Sequence, residues 1–150
     1  MTAANDGPIR TTAIERLFNG TLAWLVGIGL VRGHFYVLEV PGRKTGRTIS
    51  MPVDLLEFEG RRYLVSARGE SNWVHNARAA GEIVLKRGRR RERFTVIELL
   101  PERRPPVLKA YLDSFASEVQ RFFAVPKGSP VADFVPIASR HPVFELRPPS

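Results

Sequence analysis

The sequence predicts an α+β domain built on a small β-barrel, with about six short, mostly antiparallel strands and covering helices. Short runs rich in β-branched and aromatic residues follow one another closely and are separated by glycine turns. Strands joined by such short connections pair as antiparallel neighbours. Helical patterns precede, interrupt and follow the strands, without the repeating strand–helix–strand order of a Rossmann sheet.

Composition limits the classes of protein that this chain can belong to. Its 150 residues suit one domain, 1–150, with a sizeable hydrophobic core. It contains no cysteine, which excludes disulfides, a thiol nucleophile and cysteine-ligated metals. The net charge of +8 favours anionic partners, which include nucleic acid, anionic lipid and phosphorylated or carboxylated small molecules.

The N-terminal part is predicted to be a loose tail over residues 1–10 and an amphipathic helix over residues 12–31. Thr12 and Glu15 have the spacing of a capping box, and apolar residues follow at intervals of three and four. Two interpretations stay open: the helix packs on the core, or it lies on a bilayer or lines a channel for an apolar substrate. The longest apolar run, Thr21–Val31, is shorter than the roughly 20 residues of a membrane-spanning helix. No secretory signal is visible, so we expect a cytoplasmic protein, with peripheral contact at the inner face of the membrane as the second interpretation.

The predicted barrel and its helices occupy residues 34–147. The predicted strands are His34–Val40, Thr48–Phe58, Arg61–Ala67, Glu82–Gly88, Arg91–Leu99 and His141–Leu146. Pro52 indicates an edge strand or a bulge. A short helix is expected over residues 72–80, capped by Ser71 or Asn72 and closed by Gly81. A longer helix follows Pro101, its apolar face runs from Leu108 to Phe122, and a short helical piece is expected over residues 131–137.

A basic loop joins the first two predicted strands. Arg43, Lys44 and Arg47 surround Gly42 and Gly46. A nucleotide P-loop is excluded, because Lys44 precedes the second glycine and a strand follows. Backbone N–H groups of such a turn can converge on an anion that arginine and lysine also attract. A solvated turn is the alternative.

The segment Ser66–Ala79 is the second candidate. Arg68 ends a strand, and Trp73, His75 and Asn76 lie in the first turns of a short helix. A flat indole and an amide suit a planar heteroaromatic ring with carbonyl and N–H edges. The alternative is that Trp73 anchors the core and Asn76 is a cap. His75 is either a proton donor or a structural residue.

A basic hairpin over residues 86–93 has six basic residues in eight. It is a solvated turn, or it contacts a nucleic-acid backbone, anionic lipid or an acidic ligand tail. We expect no nucleic-acid partner, because Phe94 is predicted to point inward and exposed aromatics do not alternate with the charges. The three histidines lack ligand spacing, so no metal site is assigned. No catalytic triad or paired-carboxylate motif is present, which indicates that a cofactor supplies the chemistry.

Three motifs in order, GRKTGR followed by MP, VSARG and NWVHNARAAG, precede this hairpin. Together they resemble the deazaflavin (F420)-dependent nitroreductases, also called F420H2-dependent quinone reductases, over Val37–Phe94. The resemblance implies a split β-barrel related to flavin-binding barrels and the coenzyme F420. It also implies hydride transfer to a quinone, a nitroaromatic or another activated acceptor.

The resemblance also assigns the coenzyme-binding residues. The basic loop would hold the coenzyme's phosphate, and Arg68 would reach its anionic side. Residues 72–76 would lie beside the deazaflavin ring and its ribitol-like chain, and the oligoglutamate tail suits the surplus positive charge. The complete set is Arg43, Lys44, Thr45, Arg47, Ile49, Ser50, Met51, Pro52, Val53, Val65, Ser66, Ala67, Arg68, Asn72, Trp73, Val74, His75 and Asn76.

Departures from the family pattern leave the acceptor open. The loop from Gly69 to Trp73 is short, Val74 replaces an aromatic residue, and the later helix has only Tyr111 as a tyrosine. We expect a small apolar or aromatic acceptor, with water, His75 or Tyr111 as the proton source. The alternatives are an FMN-binding split-barrel oxidoreductase and a non-catalytic ligand-binding or membrane-surface protein.

Overall fold

The computed structural model describes residues 35–149. The tail over residues 1–10, the predicted helix over residues 12–31 and His34 lie outside the described residues. The described elements, in chain order, are β1 (Phe35–Pro41), β2 (Thr48–Asp54), β3 (Leu56–Phe58), β4 (Arg61–Val65), α1 (Asn72–Ala80), β5 (Glu82–Arg87), β6 (Arg90–Glu98), α2 (Pro105–Val119) and β7 (Val143–Arg147). Four 3-10 helices accompany them, at Pro101–Arg103, Gln120–Phe122, Val131–Phe134 and Ala138–Arg140.

The strands form one antiparallel sheet in the order β2-β1-β5-β6-β7-β4-β3. Its two edge strands, β2 and β3, are separated in the chain only by Leu55. Because opposite edges are joined through one residue, the sheet has to curl, and the result is a split β-barrel. The prediction of one strand over Thr48–Phe58 is wrong for the same reason, since β2 pairs with β1 while β3 pairs with β4.

Side-chain alternation along the strands creates a hydrophobic core on each face of the sheet. In β4, Leu64 faces the barrel interior, whereas Tyr63 and Val65 face α2. The interior core includes Leu38, Val40, Leu85, Phe94, Phe144 and residues of α1. The outer core joins β3, β4 and β7 to α2, and its centre includes Leu108, Leu112 and Phe134. The expected inward orientation of Phe94 is confirmed, since its exposed fraction is 3%.

Helix α1 has the predicted bounds. Ser71 is its N-cap, and Gly81, with a φ of 76°, donates its N–H to the Ala77 carbonyl at 2.8 Å. Trp73 packs on Phe144 with ring centroids 5.7 Å apart. The helix is thereby fixed against the barrel, and its first turn lies directly after β4 and the turn that follows it.

The C-terminal helices are more broken than predicted. Helix α2 ends at Val119 and has a non-helical Phe115 (φ −124°), and the expected extension to Phe122 is a 3-10 turn. The helical piece expected over residues 131–137 is also a 3-10 helix, and a second one follows it at Ala138–Arg140. Within residues 35–149, no helix combines the length and the apolar character needed to cross a membrane.

Candidate functional site

The basic loop between β1 and β2 is closed by its own backbone. Gly42 N–H donates to the Arg47 carbonyl at 2.7 Å, and Gly46 N–H donates to the Gly42 carbonyl at 2.8 Å. A Cβ at Gly42 would lie 3.2 Å from Cδ1 of Ile49, and Gly46 has a φ of +77°. The left-handed backbone favours glycine at position 46, and the close approach of Ile49 favours the absence of a side chain at position 42.

Asn76 fixes the loop to helix α1. Its Oδ1 accepts the backbone N–H of Arg43 at 3.0 Å and Nη1 of the same residue at 2.8 Å. Asn76 is only 2% exposed, so the bond to it is protected from solvent. The Asn76 amide therefore holds the basic loop against α1, and it does not cap the helix.

The rest of the loop is exposed at Lys44, Thr45 and Arg47. Within residues 35–149, the backbone N–H groups of Lys44 and Thr45 donate to no protein acceptor, and Thr45 Oγ1 accepts the Arg47 N–H at 3.2 Å. The side chains of Lys44 and Arg47 are exposed and form no ion pair with a described carboxylate. Unpaired amides beside cations are the donor set of an anion site.

Strand β2 carries the next group of predicted site residues. It pairs on one side with β1 and is an edge strand, which confirms the edge position inferred for Pro52. Ile49 is 40% exposed beside the loop, while Met51 and Val53 pack against the interior core. Ser50 is half-buried opposite Glu39.

The stretch Val65–Arg68 leaves the sheet in a tight turn. Val65 and Ser66 are buried, and Ser66 Oγ donates to the Gly69 carbonyl at 2.5 Å. Ala67 and Arg68 reach the surface at a different cleft from that of the basic loop. The guanidinium carbon of Arg68 lies 4.8 Å from the ring centroid of Phe122.

The predicted ring-contacting segment of α1 is divided between core and surface. Trp73 is 7% exposed and Val74 is fully buried, so these two side chains anchor the helix in the interior core. Asn72 is exposed. His75 is partly exposed, and its Nε2 lies 3.7 Å from Oε1 of Glu70, an acidic neighbour that the sequence analysis did not consider.

Tyr111 lies in the outer core, away from the basic loop. Its ring packs on Phe115 and Phe123, at centroid distances of 5.3 and 6.1 Å. Burial is the main reason that the pKa of its hydroxyl is raised, with Asp54 and Glu118 contributing. The hydroxyl therefore stays protonated at neutral pH.

An ion-pair network holds the turn before α1. Arg78 binds both oxygens of Glu70, at 2.7 and 2.9 Å, and both oxygens of Glu98, at 2.7 and 2.8 Å. Arg78 lowers the pKa of Glu70 through these hydrogen bonds. Arg104, only 6% exposed, donates to Glu98 and to the carbonyls of Leu99 and Ala138.

Two clefts border the predicted site residues. The first has a volume of about 530 Å³, and the basic loop forms one wall through Gly42, Arg43 and Thr48. Its other walls are the C-terminal end of α1, β5 and β6, where Arg91 pairs with Glu39 at 2.6 Å and Arg93 with Glu82 at 3.3 Å. Carboxylates thus neutralise part of the basic hairpin.

The second cleft, of about 420 Å³, contains residues that the sequence analysis missed. Ala67 and Arg68 line it together with Arg121, Phe122, Phe123, Ala124, Arg140 and His141. No local motif marks Arg121, Arg140 or His141, because three separate segments converge only in the folded chain. Helix α1 contacts a segment that borders each cleft. Asn76 accepts a hydrogen bond from the basic loop, and the hydroxyl oxygen of the N-cap Ser71 lies 3.4 Å from that of Ser66, which precedes Ala67 of the second cleft.

Metal binding is not supported by the described part of the chain, which contains no cluster of three or more His, Asp or Glu residues able to hold an ion. The histidines His75 and His141 instead contact Glu70 and the Ser66 carbonyl.

Comparison with known proteins agrees with this architecture. A solved structure described as an F420-H2 dependent reductase (FDR-A) matches with a TM-score of 0.52 and 19% identity, covering 76% of this chain and 94% of that one. Another, described as a domain-swapped dimer, has a TM-score of 0.54 and 18% identity, covering 93% and 96%. An FAD-binding protein from Mesorhizobium loti has a TM-score of 0.51 and 11% identity, covering 87% and 89%. These likenesses establish the fold.

The family follows from the sequence comparison. No curated protein matches the chain. The family model described as F420H(2)-dependent quinone reductase matches residues 9–121, which include the basic loop, the turn after β4 and α1. Because this match spans most of the chain, the protein belongs to the F420H2-dependent quinone reductase family and is an F420-dependent oxidoreductase.

Proposed function

We propose that this protein transfers a hydride from reduced F420 to a small apolar or aromatic acceptor in the cytoplasm, with a quinone or a nitroaromatic as the acceptor class. The observation that carries the proposal is the basic loop, where the amides of Lys44 and Thr45, which donate to no acceptor of residues 35–149, adjoin the cations of Arg43, Lys44 and Arg47. Family membership supports the coenzyme. The description of the family supports a quinone as the acceptor, and the nitroaromatic is the other acceptor that the resemblance implies.

The residues of the loop fit the anionic part of the coenzyme. A phosphate needs several N–H donors and positive charge, and the loop offers both without a competing described carboxylate. Arg43 has Nη1 engaged with Asn76, so its guanidinium is oriented before a ligand binds. Preorganised donors lower the entropy that binding costs. The backbone N–H of Arg47 already donates to Thr45 Oγ1, so it is not one of the donors left for a ligand.

Reduced F420, when bound, supplies the hydride. The protein has to bind the coenzyme, hold the acceptor against it and exclude water. Buried Trp73 and Val74 fix α1, so that Asn72 and His75 at its surface keep a constant position relative to the loop.

His75 is the better placed of the two proton-donor candidates. Its side chain is 40% exposed, so solvent can reprotonate it, and Glu70 lies beside it at 3.7 Å. Tyr111 is 4% exposed within the outer core, and its raised pKa opposes loss of the proton. The proton therefore comes from His75 or from water, and Tyr111 has a packing role.

The test is a fluorescence titration of F420 against wild type, Lys44→Ala and Arg89→Ala. Both variants remove one exposed cation, but Arg89 lies in the hairpin turn between β5 and β6, away from the loop. We expect Lys44→Ala to weaken binding by about 1–3 kcal/mol, roughly 5- to 150-fold in Kd. Arg89→Ala should leave Kd within about twofold.

Equal losses in both variants would show that net charge, and not the loop, attracts the coenzyme. A parallel titration with FMN tests the runner-up cofactor, and tighter binding of FMN than of F420 would favour a flavin oxidoreductase. Turnover is followed as reoxidation of reduced F420 with menadione. No binding and no turnover across quinones and nitroaromatics would reject the proposed function in favour of a non-catalytic binding protein.

A further inference from the structure

The second cleft brings together three arginines from distant parts of the chain. Arg68 follows β4, Arg121 lies in the 3-10 helix Gln120–Phe122, and Arg140 ends the 3-10 helix Ala138–Arg140. The guanidinium carbons of Arg68 and Arg121 both lie 4.8 Å from the centroid of Phe122. The two cations are thus closer than about 10 Å, roughly one Debye length at 0.1 M salt, so their repulsion is only partly screened.

No carboxylate of the described residues compensates this charge. The residues that line the cleft include no Asp or Glu, and within residues 35–149 no ion pair joins any of the three arginines to a carboxylate. Arg78 and Arg104 differ in this respect, since both pair with Glu98. Unpaired cations held near each other favour the binding of an anion.

The cations keep their hydrogen-bonding capacity. Arg68 and Arg121 contact the face of Phe122, and their N–H groups form no hydrogen bond with a described residue. A guanidinium stacked on an aromatic ring still presents its N–H edge, whose planar geometry matches a carboxylate. The cleft therefore offers directional donors as well as charge.

The floor of the cleft is aromatic and uncharged. Phe123 stacks on His141 with centroids 4.2 Å apart and an interplanar angle of 14°. Burial lowers the pKa of His141, and the charges of Arg140 and Arg104 act in the same direction. Both rings are buried, at 7% and 4% exposure, so they form an uncharged support beside Phe122, which is partly exposed.

The walls are held in place by close contacts. A Cβ built on Gly69 would lie 3.1 Å from the carbonyl oxygen of Arg140, so the turn after β4 and the segment carrying Arg140 already touch. His141 Nδ1 lies 3.4 Å from the Ser66 carbonyl oxygen. These contacts hold together the two backbone segments that carry Arg68 and Arg140.

We infer that this cleft is a carboxylate-binding subsite, in which Arg68, Arg121 and Arg140 bind the anionic group of a ligand whose aromatic or extended part lies along Phe122. The identity of the ligand rests on the proposed function, which offers two sources of carboxylate. One is an aromatic acceptor that carries a carboxylate, and the other is the glutamate tail of the coenzyme. Arg121 and Arg140 would then set ligand specificity.

The experiment compares Arg121→Gln and Arg140→Gln with Arg103→Gln, which neutralises an exposed arginine outside the cleft. The first arm uses calorimetry without coenzyme, with 1,4-naphthoquinone-2-carboxylate and its methyl ester as probes. The second arm measures Kd for F420 preparations with a short and a long glutamate tail. Thermal melting of every variant establishes that each one is folded.

The preference is the ratio of affinities for the charged quinone over its ester in the first arm, and for long-tailed over short-tailed F420 in the second. We expect Arg121→Gln and Arg140→Gln to lower this ratio by at least about fivefold in one arm. Arg103→Gln should leave both ratios unchanged. Loss of preference in the quinone arm identifies an acidic acceptor, and loss in the tail arm identifies the coenzyme. Added salt should weaken wild-type binding of the charged probe. Unchanged preference in both arms, or no preference in wild type, overturns the inference.

The two proposals can fail separately. If F420 does not bind but the charged quinone binds through Arg121 and Arg140, the proposed function fails and the subsite remains. If F420 binds and turns over while both arginine variants keep the wild-type preference, the subsite fails and the proposed function remains.

Discussion

The side-chain oxygen of Asn76 accepts two hydrogen bonds from Arg43, one from the backbone N–H at 3.0 Å and one from Nη1 at 2.8 Å, across 33 positions of sequence. This contact joins the basic loop to a helix that Trp73 and Val74 fix in the core. The packed interior thus restricts the position of the basic loop, although the charged side chains of the loop are exposed.

Replacement of Asn76 by Ala should release Arg43 and weaken F420 binding. The expected loss is about 1 kcal/mol or more, since a charged donor loses its buried acceptor and the loop is less ordered before binding. The measurement is a double-mutant cycle with Arg43→Ala, read as F420 affinity. If the effects of the two substitutions add, the bond between the two residues does not organise the site.

Gly69→Ala should destabilise the protein more than Gly128→Ala does. Both glycines have a φ of +89°, so an alanine carries the same backbone strain, of roughly 1 kcal/mol, at either position. Only at Gly69 does a Cβ meet another group, the Arg140 carbonyl at 3.1 Å, whereas at Gly128 nothing lies within 4 Å. Urea unfolding of the two variants should therefore differ by about 1 kcal/mol or more. Identical free energies of unfolding would show that the turn and Arg140 separate without cost.

Arg104→Ala should cost about 3 kcal/mol of stability, whereas Arg103→Ala should cost less than about 0.5 kcal/mol. Arg104 is 6% exposed, and its removal leaves the carbonyls of Leu99 and Ala138 without the bonds that it donates and takes one of two arginine partners from Glu98, which keeps Arg78. The neighbouring Arg103 is exposed and serves as a matched control for charge. The measurement is the free energy of unfolding of both variants by chemical denaturation. If Arg104→Ala loses as little stability as Arg103→Ala, the buried bonds of Arg104 do not stabilise the fold.

Because of the buried carboxyl group of Asp54, the free energy of unfolding should decrease as the pH rises. Burial, followed by a hydrogen bond with Glu118, raises the pKa of Asp54 to about 8 from its ordinary value of 3.8. Between these values the folded state keeps a proton that the unfolded chain has lost, so the free energy of unfolding decreases from about pH 4 to about pH 8. Asp54→Asn cannot ionise and should lose this part of the dependence. The free energies of unfolding of both proteins at about pH 5 and about pH 8 provide the measurement, and parallel pH profiles would contradict the assignment.

Much of the fold follows from local patterns in the sequence. Strand β1 is a run of aromatic, β-branched and other apolar residues interrupted only by Glu39, and α1 begins and ends at residues with known capping preferences, Ser71 and Gly81. The break at Leu55 could not be predicted, because apolar residues continue on both sides of it. It exists because β2 and β3 occupy opposite edges of one sheet.

The chain by itself determined the identity of the basic loop and the order of the motifs, since glycine spacing and charge are local properties that the sequence displays directly. Tertiary structure decided which of these groups is available to a ligand. Packing buries Trp73 and Val74, the bond to Asn76 orients Arg43, and Glu39 and Glu82 neutralise part of the hairpin. The convergence of Arg68, Arg121 and Arg140 likewise depends on the fold, because the curled sheet and the 3-10 turns bring together segments that no sequence periodicity relates.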